Sequence, residues 1–392
     1  MRSPRPLLAI FLTVVIDLLG FGIVLPLLPL YADEWHASPG VIALLFTSFS
    51  ALQFISAPLW GRLSDRIGRR PVILIGLAGS CASYTLFGLA ALDQMLVLLF
   101  VSRVTAGIFG GTISTAYAFI ADVTTTEERG RGMALIGMSF GIGFTLGPAI
   151  GGIGHAWHPV APGLIAATLS AIAFLFAWRR LPEPEGHKPA PRRSWFDLGA
   201  FREAMRAPTI GTILLLVFVT VACFSLMEST VGLLGKRVYH LSYLQIGLLF
   251  TYLGFWTAFT QGFIVRRYMK RVGEQRYVIV GTLVLGGGMA AFALAPSLAW
   301  LIALAPLAVL GFGMVSPSLN SLLSRRSAAD VQGGIMGVNQ SLQSLSRIVG
   351  PLVGLPLFGI DTRLPFWVGA GVMGLCCVGA LALARQTVAD QS

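Results

Sequence analysis

Apolar residues occupy this chain in long runs that short polar segments interrupt. Twelve runs are long enough to cross about 30 Å of hydrocarbon as helices. In chain order, and numbered from here on as spans 1 to 12, they are residues 7–29, 41–60, 71–91, 95–119, 133–154, 160–178, 209–230, 243–265, 276–295, 298–323, 334–358 and 364–385. Because a backbone in lipid must pair its polar groups within its own segment, the predicted fold class is an all-α membrane protein with twelve transmembrane helices.

Composition agrees with a chain that crosses the membrane many times. Of 392 residues, 55% are hydrophobic and 11% are charged, and the mean hydropathy is +0.78. The four cysteines all lie inside apolar runs, so neither a disulfide framework nor a metal site is expected, and no cofactor is predicted. No cleavable signal peptide is expected either, because the first run is too long for one and contains Asp17.

The formal net charge of +11 is explained by where the basic residues fall. When successive loops are assigned to alternate sides, 23 of the 28 Lys and Arg residues lie on the side of both termini and three lie on the other. By the positive-inside rule, both termini are predicted to be cytoplasmic, in a multi-pass protein of the plasma membrane, most simply a bacterial inner membrane. The basicity therefore reflects topology, and no nucleic-acid partner is expected.

The longest polar segment, 181–208, divides the chain into two six-span halves, 1–180 and 209–392. This linker begins with prolines and ends in an amphipathic pattern that predicts a short helix on the membrane surface. The halves repeat each other: GFTLGPAIGG (143–152) corresponds to SRIVGPLVG (346–354), and GRLSDRIGRR (61–70) corresponds to GFIVRRYMKRVGEQR (262–276). We therefore predict two pseudo-symmetric six-helix bundles with a substrate cavity between them, in a monomeric transporter.

The segment GRLSDRIGRR places four arginines and one aspartate between two apolar spans. Gly61 is predicted to end span 2 where a Cβ would obstruct, Gly68 to allow a positive φ in a tight turn, and Pro71 to lie in the first turn of span 3. The Asp65 carboxylate can accept hydrogen bonds from another helix N-terminus, and the arginines can pair with an acid. We predict a latch that holds the halves closed on the cytoplasmic side. The alternative is an ordinary basic cytoplasmic loop.

Four charged side chains lie within predicted spans and away from the terminal residues of those spans, where a charge is costly and by default marks function. Asp17, midway along span 1, is the predicted proton-coupling carboxylate, poised by burial and by a nearby Arg103; the alternative is a structural partner of an arginine. Glu228 in span 7 is either a proton or cation site or a solvated residue at the rim. Arg347 in span 11 satisfies carbonyls where a Gly-Pro step interrupts the helix, pairs with Glu228, or binds an anionic substrate.

Neutral polar and aromatic side chains within the spans predict a substrate cavity. An apolar, aromatic pocket with few polar groups suits lipophilic, drug-like molecules. The predicted cavity residues are Gln53, Tyr84, Phe255, Trp256, Gln261, Asn339, Gln343 and Arg347. For each aromatic residue alone, packing or lipid contact is the alternative.

Span 5 is rich in glycine around one proline. Its motif residues are Gly143, Gly147, Pro148, Gly151 and Gly152. Small residues let helices approach closely, and a proline allows a local bend. Close packing here would seal the cavity against leak, as an antiporter requires. Ordinary packing of small residues is the alternative.

Four stretches of the chain resemble motifs of the major facilitator superfamily and of its 12-helix drug:proton antiporters. They are GRLSDRIGRR, the pattern of Gly20, Pro26 and Pro29 in span 1, Arg103 followed by Gly107 in span 4, and GFTLGPAIGG in span 5. The N-terminal half resembles the tetracycline exporters most closely, through DLLGFGIVLPLLP, APLWGRLSDRIGRRP and FIADVTTTEERGRG. The resemblance implies the major facilitator fold and a part for Arg103 in proton coupling.

The same resemblance implies a detailed latch, in which Asp65 faces the N-terminus of span 11 near Gly333 and Gly334, and Arg69 pairs with Asp122. The predicted latch residues are Gly61, Asp65, Arg66, Gly68, Arg69, Arg70 and Asp122.

Three departures separate this chain from the tetracycline exporters. Ala82-Ser83-Tyr84 has no acid before the tyrosine of span 3, Thr257 replaces the histidine of span 8, and GTLVLGGGMAAF in span 9 contains no carboxylate. These departures argue against tetracycline as the substrate.

Three classes of function follow from these patterns. The first is a proton-coupled exporter of lipophilic, drug-like molecules that works by alternating access. The second is a transporter of a metabolite or amphiphile, proton-coupled or facilitative, and the third is a non-transporting receptor or scaffold. No GxxxxGK[ST] loop indicates ATP-driven transport, and no HExxH or GxSxG motif indicates a membrane enzyme, so the chain is not expected to be an enzyme.

Overall fold

The computed structural model describes residues 5–125, 129–184, 208–327 and 332–389. Every regular element in those ranges is helical. Spans 1 to 6 are, in order, Arg5–Val24 with Leu27–Glu34, Pro39–Ile67, Arg69–Leu92, Leu96–Gly110 with Ile113–Val123, Arg129–Trp157 and Ala161–Arg180. Spans 7 to 12 are Pro208–Tyr239, Tyr243–Phe259 continued by Thr260–Val265 and Arg266–Val272, Glu274–Leu294, Leu298–Arg326, Gln332–Ile360 and Leu364–Ala389.

The chain is an all-α membrane protein, as predicted. Within the described ranges, eleven helices are long and apolar enough to cross a membrane. Span 11 is not one of these eleven; it has 29 residues but carries polar side chains at Asn339, Gln340, Gln343 and Arg347. The linker helix predicted before span 7 falls in 185–207, outside the described residues.

The chain divides into two compact units. Unit 1 comprises Met1–Arg193 and Leu241–Tyr252, and unit 2 comprises Ser194–His240 and Leu253–Ser392. The first residues of span 8 therefore belong with unit 1. Span 5 explains this assignment, because Gly152 approaches the backbone of Leu244 so closely that a Cβ on the glycine would lie 2.9 Å from the Leu244 Cα.

Spans 1 and 5 pack side by side through glycines. A Cβ on Gly143 would lie 2.6 Å from the carbonyl oxygen of Leu18, and a Cβ on Gly147 would lie 2.6 Å from the carbonyl carbon of Gly22. Spans 7 and 11 of unit 2 repeat the arrangement, since a Cβ on Gly350 would lie 2.7 Å from the carbonyl oxygen of Ala222. The repeated Gly-Pro motifs therefore serve the same close approach of two helices in each unit.

Two predictions about helix breaks are wrong. Gly61 lies inside the helix Pro39–Ile67, and a Cβ there would meet nothing within 4 Å, so Gly61 does not end span 2. The helix continues to Ile67 because polar residues propagate a helix as well as apolar ones do. Pro351 likewise does not interrupt span 11, which runs through it to Ile360. A proline costs the helix one hydrogen bond, and the surrounding bundle supports the remaining turns.

Candidate functional site

Gly68 forms the turn between spans 2 and 3, and its φ of +102° is the predicted positive value. Glu183, which follows span 6, holds this turn. Its Oε1 accepts a hydrogen bond from the backbone N–H of Arg69 at 2.6 Å, and its Oε2 accepts one from the N–H of Arg70 at 3.0 Å. The carboxylate thus caps the N-terminus of span 3, where the helix dipole favours negative charge. The sequence did not predict a role for Glu183. The available indication was its place as an acidic residue between two prolines just after span 6.

Arg69 is the centre of the predicted latch. Its side chain is buried, its Nε donates to Oδ2 of Asp122 at 2.9 Å, and its Nη1 donates to Oδ1 of Asp65 at 2.5 Å. Nη1 also lies 2.6 Å from the hydroxyl of Ser64. The expected pair of Arg69 and Asp122 is therefore present, and Asp65 shares the same guanidinium. A contact of Asp65 with span 11 stays a prediction.

The other two predicted arginines differ in their surroundings. Arg70 donates a hydrogen bond from Nη2 to the carbonyl oxygen of Trp178 in span 6, whereas Arg66 is exposed. The segment thus joins span 3 to span 6 as well as to span 4.

Unit 2 carries the same ion pair with its charges exchanged. Gly273 precedes span 9 with a φ of +87°, as Gly68 precedes span 3. The next residue is Glu274 in place of an arginine, and its Oε1 lies 3.2 Å from Nη2 of Arg325 in span 10. The two ion pairs lie at corresponding positions. Each joins the first residue of one span to the end of the next span, on the side predicted to be cytoplasmic. The repeat therefore preserves the geometry and inverts the sign.

Asp17 lies in span 1 inside unit 1, partly buried among spans 3, 4 and 6. The hydroxyl of Ser170 donates to its Oδ1 at 3.3 Å, and Ser80 of span 3 lies near the same carboxyl. A cavity of about 30 Å³ lies beside it. The residues that line this cavity are Thr13, Val14, Asp17, Ile73, Leu77, Thr112, Ile113 and Ala116.

Arg103 lies deeper in the same unit and is only 2% exposed. Its guanidinium carbon is 5.4 Å from the centroid of the Phe87 ring, a cation–π contact, and its Nη2 has no hydrogen-bond partner among the described residues. Asp17 and Arg103 do not form an ion pair with each other. Tyr84, 4% exposed and packed on Gly20, lies within electrostatic range of both. Asp17 and Arg103, two of the three predicted proton-coupling residues, thus both have Tyr84 nearby.

Glu228 and Arg347 lie on the contacting spans 7 and 11 of unit 2. The positive charge of Arg347 acts on the Glu228 carboxyl, although no ion pair joins these two residues. The neighbouring Ser346 fixes the register of the helices, since its hydroxyl donates to the carbonyl oxygen of Phe218 at 2.9 Å. Because span 11 is continuous, Arg347 has no interrupted helix to satisfy. Pairing with Glu228 and binding of an anion stay predictions.

The predicted cavity residues of unit 1 are engaged in packing. Gln53 donates from Nε2 to the carbonyl oxygen of Gly110 at 3.2 Å, where span 4 breaks. Tyr84 faces the interior of the bundle, as described above. Nε2 of Gln53 is thus engaged with the backbone of span 4, and the ring of Tyr84 is buried in the packing of unit 1.

The predicted cavity residues of unit 2 form two groups. Phe255 is 53% exposed and begins a ladder in which the rings of Phe255, Phe259 and Phe263 stack in succession at 6.2 and 5.3 Å. Gln261 lies on the exposed side of the π-helical turn Thr260–Val265, a feature common at functional sites, and Trp256 packs edge-on to Phe259. In the second group, Asn339 donates to Asn320 at 2.8 Å, and Gln343 is partly buried one turn further on.

The structure shows a polar cluster at the end of span 1 that the sequence did not predict. The hydroxyl of Tyr31 lies 2.9 Å from Nδ1 of His155 in span 5 and donates to the carbonyl oxygen of Pro159 at 2.6 Å. Tyr243, at the start of span 8, donates to the carboxylate of Glu34. These residues are far apart in sequence, so only the packing of spans 1, 5 and 8 reveals the cluster.

Several known proteins are similar to this chain in both sequence and fold. The family model of the Major Facilitator Superfamily matches residues 10–351. Tetracycline resistance protein, class C, of Escherichia coli is 33% identical over 97% of each chain, and Multidrug resistance protein 1 of Bacillus subtilis is 28% identical over 94% of this chain and 93% of that one. The crystal structure of the human organic anion transporter MFSD10 is 28% identical, with a TM-score of 0.72 over 96% of this chain and 99% of that chain. The chain therefore belongs to the major facilitator superfamily.

Proposed function

We propose that this transporter is a proton-coupled exporter of lipophilic, drug-like small molecules that works by alternating access. Membership of the superfamily makes it a multi-pass membrane transporter with a small-molecule substrate. The proposal adds the coupling ion, the direction of transport and the class of substrate.

Asp17 is the observation that carries the proposal. It is a carboxyl group within the helices of unit 1, held by Ser170 and bordered by a cavity. A carboxylate is costly to keep ionised in such a place and is well suited to take up and release a proton as its surroundings change. Arg103, a buried cation that forms no ion pair with any residue in the described part of the chain, responds to the same change through Tyr84, which lies near both groups.

The proposed orientation follows from the basic residues. With 23 Lys and Arg residues on the side of the termini, the turns at Gly68 and Gly273 are cytoplasmic, and the cluster around Tyr31 is at the outer side. Protons that enter from outside then move down their gradient as substrate leaves the cell. The plasma membrane of a bacterium is the proposed location, and the protein is proposed to act as a monomer.

Two relatives support a drug-like substrate. One is named a tetracycline resistance protein and the other a multidrug resistance protein. The exposed aromatic ladder from Phe255 to Phe263 offers the apolar contact surface that lipophilic molecules bind.

A second candidate is transport of an anionic metabolite or amphiphile, proton-coupled or facilitative. Two observations favour it. The solved relative MFSD10 is named an organic anion transporter, and Arg103 and Arg347 are cations within the spans that an anion can neutralise.

Uptake into inside-out membrane vesicles tests the proposal. Three fluorescent lipophilic dyes, one cationic, one neutral and one anionic, are followed with and without an imposed proton gradient. We expect Asp17→Asn to lose gradient-driven accumulation and to keep exchange of dye down its own gradient. The control Asp93→Asn removes an exposed loop carboxylate and should behave as wild type. Full gradient-driven accumulation by Asp17→Asn contradicts the proposal, and a preference for the anionic dye selects the second candidate.

A further inference from the structure

Three of the residues that line the cavity beside Asp17 have polar side chains. Asp17 and Thr13 come from span 1, and Thr112 comes from the break in span 4. The other lining side chains are apolar: Val14, Ile73, Leu77, Ile113 and Ala116. A buried water needs roughly 10–15 Å³ and two to four polar partners. A cavity of about 30 Å³ with three polar groups meets both conditions.

The hydroxyl groups of Thr13 and Thr112 both donate their hydrogen atoms to backbone carbonyl oxygens. Thr13 donates from Oγ1 to the carbonyl oxygen of Ala9 at 2.8 Å, and Thr112 donates from Oγ1 to the carbonyl oxygen of Phe109 at 2.8 Å. A hydroxyl has one hydrogen and two lone pairs. Towards the cavity, each threonine oxygen can therefore only accept a hydrogen bond.

We propose that this cavity is a water site, and that its water is the immediate acceptor and donor of the Asp17 proton. The inference rests on the proposed function of Asp17. When Asp17 is neutral, its O–H donates to the water, and the two water hydrogens are donated to Thr13 and Thr112, so every group is satisfied. When Asp17 is ionised, the water turns one hydrogen to the carboxylate and keeps the other on a threonine.

The proton transfer balances within this site. The O–H bond of the Asp17 carboxylic acid breaks, a third O–H bond forms on the water, and the carboxylate keeps the electron pair. Because Ser170 already donates to Oδ1, the proposal places the proton on Oδ2. Thr112 and Ile113 are the partly exposed lining residues on span 4, so the proton leaves towards the break in that span.

Close packing of Gly76 in span 3 against Thr112 fixes the position of the threonine side chain. A Cβ at this glycine would lie 2.7 Å from Cβ of Thr112. Only a residue without a side chain lets the threonine sit at the cavity wall. The same approach makes Gly76→Ala a second way to disturb the site.

Two substitutions test the water site in different ways. Thr112→Val keeps the shape of the side chain and removes the hydroxyl. Ala116→Val enlarges a lining side chain and so fills part of the cavity. We expect each to slow gradient-driven dye accumulation about tenfold, the effect of about one lost hydrogen bond. Gradient-free exchange of the same dye should stay within about twofold, because the substrate path is untouched. Thr112→Ser, which retains the hydroxyl, should be close to wild type.

Ala173→Val is the matched control, since Ala173 is fully buried in the same apolar core and does not line the cavity. The infrared carbonyl band of protonated Asp17, identified by its absence in Asp17→Asn, gives a readout independent of transport. We expect this band to move to higher frequency in Ala116→Val and to stay in place in Ala173→Val. An unchanged band together with unchanged driven accumulation in Thr112→Val and Ala116→Val overturns the water site. Failure of Asp17→Asn to abolish coupling overturns the proposed function instead.

Discussion

The imidazole ring of His155 stacks on the phenol ring of Tyr243, with ring centroids 3.6 Å apart. His155 is in the last turn of span 5, and Tyr243 is the first residue of the span 8 helix. Together with the hydrogen bonds to Tyr31 and Glu34, this stack fastens the start of span 8 to spans 1 and 5. In the proposed orientation, these contacts keep the outer ends of the three spans together.

Removal of one hydroxyl should loosen this outer contact. Tyr243→Phe keeps the ring stack and loses the bond to Glu34, worth about 1–2 kcal/mol. In a background without the four native cysteines, Ala32→Cys places a thiol at a fully buried position between Tyr31 and Glu34. We expect Tyr243→Phe to raise its alkylation rate by a membrane-impermeant maleimide roughly tenfold. Tyr239→Phe, the same change at a tyrosine bonded within unit 2, should leave the rate unaltered.

Close packing of spans 1 and 5 can be tested with a single methyl group. Gly147→Ala adds a Cβ where the backbone of Gly22 already lies, so we expect a loss of about 1–3 kcal/mol of stability. Gly137→Ala in the same helix meets nothing within 4 Å and should be neutral or slightly stabilising, because alanine favours helix over glycine. Thermal unfolding of the purified protein compares them. Equal midpoints for the two variants would show that the glycines are not needed for packing.

The inverted ion pair of unit 2 predicts that unit 1 tolerates inversion. Arg69→Glu alone places a third carboxylate beside Asp65 and Asp122, with an expected loss of about 2 kcal/mol, between the values for exposed and buried pairs. The double variant Arg69→Glu with Asp122→Arg should recover at least half of that loss. A double-mutant cycle on thermal midpoints measures the coupling. Additive losses, with no recovery, would contradict the prediction.

Glu183 should stabilise the start of span 3. Glu183→Ala leaves the N–H groups of Arg69 and Arg70 without their carboxylate, and loss of such a cap costs about 1–2 kcal/mol. Glu183→Gln, which can still accept a hydrogen bond but has no charge, should fall between alanine and wild type. Arg66→Gln removes an exposed charge nearby and serves as the control. The order of thermal midpoints decides whether the cap acts through its charge.

Tetracycline should not be a substrate. The polar residues expected in spans 3, 8 and 9 of a tetracycline exporter are absent, with Ser83 and Thr257 in two of the places. A sensitive host that carries this protein at verified membrane levels should keep its sensitivity. The class C tetracycline resistance protein, expressed at the same level, is the positive control. Resistance that disappears with Asp17→Asn would mean that these departures do not exclude the drug.

Sequence predicted the helices well because hydrocarbon thickness sets the length of an apolar run, and run length is a local property. Helix ends are different. Hydropathy marks where span 2 leaves the hydrocarbon, near residue 60, but the helix itself ends at Ile67, just before Gly68, where φ becomes positive. Span 7 likewise continues to Tyr239, nine residues beyond its predicted end.

The candidate site was predictable only where a motif carried it. The pair of Arg69 and Asp122 followed from a resemblance. Glu183 caps a helix that begins 114 residues earlier in the chain, and Ser170 reaches Asp17 across 153 residues. No periodicity or spacing in one sequence encodes contacts of that kind, since they depend on how spans 1, 3 and 6 pack.

The opposite signs at the two turns also bear on how a protein with two similar halves assembles in the membrane. Similar halves run the risk that a span of one half docks on the partner meant for its counterpart. Span 3 against span 10 would oppose Arg69 to Arg325, and span 9 against span 4 would oppose Glu274 to Asp122. Each wrong pairing brings like charges together, whereas each correct pairing brings opposite charges together. The exchanged charges thus favour docking of span 3 on span 4 and of span 9 on span 10, each within its own half.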